Sequence, residues 1–161
     1  MKNKKIIAIA CFQHGKIKGF IKFTEINNKK ISIMINLEGL PKNSTHAIHI
    51  HEAGDLSDSC ISVCSHFNPF NHNHGGINSK ERHVGDLGNI STDKNGKIID
   101  MEIIDNMIKL RGNKSNIIGR SVVIHEDEDD NGLGNFPDSK TTGHSGKRIA
   151  CAIIGYSKDM F

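Results

Sequence analysis

His49 and His51 stand two positions apart in the run His46-Ala47-Ile48-His49-Ile50-His51. Side chains of an extended chain alternate between faces, so these two imidazoles share one side while Ile48 and Ile50 take the other. His66, His74, His83 and Asp86 follow in a Gly- and Asn-rich stretch that carries neither helical nor strand periodicity. A single histidine is more often a surface or core residue. This density of nitrogen and oxygen ligands points instead to bound metal, which neutral imidazoles and an anionic carboxylate ligate together.

Such ligands need a rigid frame, and the apolar pattern offers strands. The run 6–10 reads as the start of a first strand. Ile17, Gly19, Ile21 and Phe23 alternate with Lys16, Lys18, Lys22 and Thr24, and Ile31, Ile33, Ile35 and Leu37 alternate with Ser32, Asn36 and Glu38. Asn27-Asn28 supplies a turn between them. Gly39-Leu40-Pro41 breaks the pattern before the strand that carries His49 and His51. Further on, 87–91 and 98–104 read as strands joined in a hairpin through Asp93-Lys94-Asn95-Gly96. Short strands are expected at 107–110 and Ser121–His125, and a last one at 149–156. No amphipathic helix is evident. Two irregular loops, about 52–84 and about 126–146, are long enough to be functional. About eight short strands with turns between them predict an all-β antiparallel sandwich or barrel, one domain over 1–161.

Composition narrows the function. With 161 residues the chain is long enough for one adequate core; with no tryptophan, that core rests on isoleucine, valine and leucine. The net charge is +3 and the lysines are scattered, which argues against a nucleic-acid patch. No stretch approaches the ~18 consecutive apolar residues of a membrane span. The apolar run 6–10 is too short for an export signal, so the expected compartment is the cytoplasm, or the host cytoplasm for a viral source. Disulfides are the exception there, against which Cys11, Cys60, Cys64 and Cys151 must be judged.

The blocks HAIHIHEAGD, HFNPFNHNHGG, ERHVGDLGN, IIGRSVVIHEDEDD and GKRIACAIIG together resemble the Cu,Zn superoxide dismutases, over nearly the whole chain. The resemblance implies an eight-stranded Greek-key barrel of immunoglobulin-like architecture, an architecture the enzyme is known to have. It implies an oxidoreductase that converts superoxide to oxygen and hydrogen peroxide, with copper cycling between oxidation states. By matching position, copper would take His49, His51, His66 and His125, and zinc would take His66, His74, His83 and Asp86. His66 would bridge the metals and carry a proton when the bridge opens. A ring bound through both nitrogens has lost both protons, which two adjacent cations make tolerable. Arg148 matches the arginine that holds the anion, and Lys140, Thr141, Thr142 and Lys147 would extend a positive funnel. Asp129 matches the carboxylate that links His49 to His74.

The resemblance also implies a Cys60–Cys151 disulfide, a homodimer through segments matching Gly54, 117–119 and 153–156, and a copper chaperone among the partners. Cys64 departs from the pattern, standing where glycine is usual. Lys147 and Ile149 flank Arg148 where some strictly chaperone-dependent relatives carry proline, so activation without a chaperone is open. Cys11 on the first strand reads as a buried small hydrophobe, His46 as structural, and His14, His72 and His144 as surface residues, with His72 near enough to compete for zinc. Two other readings are a copper-delivery protein and an inactive metal-binding relative. The first lacks a CxxC domain here, and the second conflicts with retention of His49, His51, His66, His125 and Arg148.

Overall fold

The computed structural model describes residues 5–27 and 30–161. Among the described residues period-two patterning produces eight strands: β1 (Ile7–His14), β2 (Ile17–Asn27), β3 (Lys30–Glu38), β4 (Thr45–His51), β5 (Asp86–Ser91), β6 (Ile98–Asp105), β7 (Ser121–His125) and β8 (Arg148–Tyr156). They are antiparallel and hydrogen-bonded in the order β5-β4-β7-β8-β1-β2-β3-β6, a nearly closed barrel. One face of each strand fills it: Ala8, Ala10 and Phe12 from β1, Ile31, Ile33 and Ile35 from β3, Ile48 and Ile50 from β4, and Ala150, Ala152 and Ile154 from β8. Burying such side chains is worth roughly 1.5–3 kcal/mol each for the larger ones, which is why alternation in the sequence fixes the inward face.

Three expectations need correction. The turn at Asp93 forms, with Asp93 N donating to Lys97 O at 2.9 Å, but β5 and β6 are not a hairpin. They lie at opposite ends of the strand order, β5 on β4 and β6 on β3, so the turn is a crossover. The 107–110 segment is not a strand: Asp105 Oδ1 accepts from the N–H groups of Met107 and Ile108 at 2.7 and 2.8 Å, which bends the chain away after β6. Ile108 and Leu110 then plug the core, and only a single bridge, Lys109 to Asn116, remains. Cys11 is exposed, because Ala8, Ala10 and Phe12 take the inward parity of β1. A one-turn helix, α1 (Ser139–Thr142), interrupts the second loop. The Asn27-Asn28 turn lies outside the described residues.

Both long loops pack on the outside of β4, β7 and β8. Cys60 and Cys151 are joined by a disulfide across a sequence separation of 91, tying the first loop to β8. In the chain-entropy model a closure of that length is worth roughly 4–5 kcal/mol. The remaining cysteines, Cys11 and Cys64, are free and exposed. No helix among the described residues is long and apolar enough to cross a membrane.

Candidate metal centre

All of β4 from His46 onward is buried, although every second side chain points out of the barrel. Ile48 and Ile50 face the core, and the outward His49 and His51 are covered by the two loops. The ladder supplies the neighbours: Asp86 of β5 stands opposite His49, and His66 bridges to His51. Phe67 N donates to Ile50 O and Ile50 N to Gly85 O, each at 2.8 Å, so the first loop is stitched into β4 beside the histidines. Gly85 permits this approach, since a Cβ there would stand 2.2 Å from Ile50 O.

Hydrogen bonds to groups that can only accept decide which ring nitrogens are left over. His51 Nδ1–H donates to Cys64 O at 2.9 Å and His125 Nδ1–H to Gly146 O at 3.3 Å, and the two Nε2 atoms face each other at 3.4 Å. His49 Nε2–H donates to Asp129 Oδ2 at 2.7 Å, which leaves Nδ1 facing inward. His49, His51, His66 and His125 each bring a nitrogen within 4.8 Å of the others. On the other side of the His66 ring, its Nδ1 lies 3.0 Å from Asp86 Oδ1 and 3.3 Å from His83 Nδ1. His74 Nδ1 is 3.0 Å from Asp86 Oδ2 and His83 Nδ1 is 3.1 Å from Asp86 Oδ1. This second group brings His49, His66, His74 and Asp86 within 4.8 Å of one another, and His83 adjoins it at Asp86 and at His66.

His49 Nδ1 and His66 Nε2 are buried without a hydrogen-bond partner, and His74 Nδ1 faces the Asp86 carboxylate at 3.0 Å. Buried polar atoms are rarely left unpaired, and imidazole nitrogens converging in this way from two quartets fit a pair of cations. The electrostatics agree. Burial holds His51 down to about 2 and His125 to about 4, with the neighbouring His66 adding to both, and burial likewise lowers His49 and His66. These rings stay neutral, the form that ligates. Burial would raise Asp86, yet hydrogen bonds from His66, His74 and His83 hold it far below the carboxylate range.

Arg148 opens β8, opposite His125 on β7. Its Nη1 donates to Cys60 O at 2.8 Å and its Nη2 to Cys64 O at 2.6 Å. It lines a cavity of about 650 Å³ together with His51, His66, His125, Lys140 and Thr141. Thr142 lines it too, whereas Lys147 does not. His72 reaches the cavity wall with its Nδ1 3.3 Å from Arg82 O, and it belongs to neither quartet. His46 is structural as expected, donating from Nδ1 to His125 O at 2.9 Å.

Arg82 was not singled out in the sequence. It is buried, donates to Asp86 O at 2.8 Å and His83 O at 3.3 Å, and pairs with buried Asp105 of β6. Its adjacency to His83 was the available signal.

The description copper/zinc superoxide dismutase (SODC) belongs to the family model that matches residues 17–154. A Cu-Zn superoxide dismutase of Paramecium bursaria Chlorella virus 1 is 54% identical over 159 residues, covering 99% of this chain and 83% of its own. An extracellular Cu-Zn superoxide dismutase of Drosophila melanogaster is 50% identical over 141 residues, covering 87% and 76%. Among solved structures, the clock protein EA4 superposes with a TM-score of 0.91 at 41% identity, covering 98% of both chains. An all-β barrel carrying two histidine-rich quartets on its outer face is a dinuclear metalloenzyme fold. The chain belongs to the copper/zinc superoxide dismutase family, an oxidoreductase family whose cofactors are copper and zinc.

Proposed function

We propose that this chain dismutates superoxide with copper held by His49 Nδ1 and the Nε2 atoms of His51, His66 and His125, and zinc held by the Nδ1 atoms of His66, His74 and His83 with Asp86. The observation that carries this reading is the His66 ring, whose Nδ1 faces one quartet while its orphaned Nε2 faces the other. Copper, when bound, supplies the electron exchange by changing oxidation state, and zinc supplies a closed site of four protein ligands.

The chain's own residues do the rest. Arg148, pinned by the Cys60 and Cys64 carbonyls, offers a guanidinium that stays charged and can hold a small anion beside the copper-side histidines. Lys140 lines the same cavity and adds to the attraction. His66 takes up a proton at Nε2 whenever that atom is not shared, and passes it to the reduced anion. Asp129 locks His49 and His74 in the tautomers that present Nδ1.

The whole of 1–161 acts as one such domain. A homodimer is supported by one patch: Gly54 packs so closely that a Cβ there would meet Gly119 O at 2.0 Å and Ile153 Cγ2 at 3.4 Å, and exposed Leu56 and Ile153 line one cavity beside it. A copper chaperone is a further proposed partner. For location we propose the cytoplasm; one relative is named extracellular, so fractionation of the producing cell against its medium is the check. Copper and zinc content measured with superoxide dismutation in one preparation tests the main reading. One copper and one zinc per chain with activity proportional to copper is expected; full loading without activity would overturn it.

A further inference from the structure

A second group of reactive side chains lies apart from the metal centre, on the outer face of β1 and β8. His14, Cys60 and Cys151 each bring one atom within 4.8 Å of the other two. Both sulfurs are spent on the disulfide, so the group is not a metal site. It is an imidazole beside an S–S bond. The free, exposed thiol of Cys11 lines the same cavity of about 590 Å³ as His14 and Cys151.

Strand parity puts Cys11 and Cys151 on one face. β1 and β8 are antiparallel, with Ile9 opposite Gly155 and Ala10 opposite Ile154. Cys11 shares the outward parity of Ile9 and Gln13, and Cys151 shares that of Ile153 and Gly155; all six line the cavity. Continuing the register one step sets Cys11 opposite Ile153 and makes Cys151 its diagonal neighbour on the same face. Diagonal Cα atoms stand roughly 7–8 Å apart, about 1 Å beyond the upper span of a disulfide. The β1–β8 ladder ends at Ala10 and Ile154, so ladder bonds do not oppose the small closure needed.

We propose that Cys11, His14 and the Cys60–Cys151 bond form a thiol–disulfide exchange centre. The Cys11 sulfur, its proton given up to water, attacks Cys151 Sγ; the Cys11–Cys151 bond forms as the Cys60–Cys151 bond breaks, and the His14 ring supplies a proton to the departing Cys60 sulfur and takes one back from water. One thiol and one disulfide stand on each side of the reaction, so no oxidant or reductant is consumed. An imidazole within reach of both disulfide sulfurs can accept at one moment and donate at the next. No external molecule takes part, so a second copy covering Ile153 does not block it. Cys64 is absent from this cavity wall; its sulfur contacts Ser62 O at 3.8 Å. The exchange frees the loop whose Cys60 and Cys64 carbonyls hold Arg148, and so loosens the arginine. That consequence rests on the superoxide reading, whereas the exchange itself does not.

The test uses metal-loaded wild type, Cys11→Ser, Cys64→Ser and His14→Gln, incubated at mildly alkaline pH, acid-quenched, alkylated with N-ethylmaleimide and mapped by peptide mass spectrometry. A Cys11–Cys151 peptide with alkylated Cys60 is expected in wild type and Cys64→Ser, absent in Cys11→Ser, and formed more slowly in His14→Gln by roughly a hundredfold or more. Wild type in which Cys11 is always fully alkylated, or in which Cys64 occupies the new bond, would overturn the proposal. An unchanged rate in His14→Gln would remove His14 as proton carrier. Activity assayed on the same samples should fall with the exchanged fraction; exchange without that fall would sink the Arg148 consequence and leave the exchange standing.

Discussion

The Nε2–H of His74 donates to Asp129 Oδ1 at 2.7 Å, and this bond leaves His74 Nδ1 facing Asp86 Oδ2 at 3.0 Å. Burial works against a charge on His74, but Asp129 and Asp86 outweigh it and raise the ring to about 9. In the metal-free protein His74 therefore carries both protons at neutral pH. The stability it contributes is complete below the ordinary histidine range and is lost as pH rises through about 9. Zinc must displace the Nδ1 proton. Calorimetry in buffers of different ionisation enthalpy should find about one or more protons released per zinc at pH 7, with apparent affinity rising until about pH 9. Zinc uptake without proton release would place His74 outside the site.

His66 gives the second prediction. Because one ring serves both quartets, His66→Ala should abolish most activity and disturb the copper spectrum. Zinc retention should weaken by at least the ~10–100-fold typical of losing groups that merely support a ligand. An unchanged copper spectrum at full zinc content would remove His66 from the bridge.

Arg82 and Asp105 are both buried, and the same guanidinium reaches the carbonyls of His83 and Asp86. Removing one partner of a buried pair typically costs ~3–5 kcal/mol. Arg82→Met should therefore lower thermal stability by about that amount and speed zinc loss to a chelator. Unaltered zinc retention in a destabilised variant would confine Arg82 to a structural part.

The histidine cluster was legible in part from spacing, while its division between two metals rests on the resemblance of the sequence blocks. Two-residue spacing puts His49 and His51 on one face, and fixed blocks carry His66, His74, His83, Asp86 and His125. The misreadings come from non-local choices. Asp93-Lys94-Asn95-Gly96 does make a turn, but turn chemistry does not say which strand each arm will join, and the arms join β4 and β3. The 107–110 run is apolar enough for a strand, yet Asp105 caps it into a bend. Cys11 was misplaced because Ile9 on the outer face made both faces of β1 look apolar; Ala8, Ala10 and Phe12 take the core. Arg82 gave no periodic signal inside an irregular loop.

Gly143 supplies a fourth prediction. It has φ of 68°, and a Cβ there would lie 2.2 Å from Asp129 Oδ1 and 2.5 Å from His74 Nε2. Gly143→Ala should push the second loop off the link between His49 and His74. Zinc should leave faster and hydrogen exchange should rise over 126–146, while β4 and β7 keep their protection. Wild-type zinc retention would show that the loop relaxes without disturbing Asp129.

Arg148 separates an active enzyme from an inert metal binder. Its guanidinium lines the cavity beside His51, His66 and His125, and two loop carbonyls hold it at 2.8 and 2.6 Å. Charges that focus an anion toward a site raise association by roughly 10–10³-fold. Arg148→Ile should therefore lower the bimolecular rate about tenfold at unchanged copper and zinc content, and Arg148→Glu should lower it further by repelling the anion. Salt should slow the wild type, because the Debye length is only about 8 Å at physiological ionic strength. In Arg148→Glu the salt effect should shrink or reverse, since screening then relieves repulsion. Stopped-flow decay of superoxide at several ionic strengths measures both. Equal rates and equal salt slopes in all three proteins would mean that Arg148 does not guide the anion, and would leave it as a strut between β8 and the first loop.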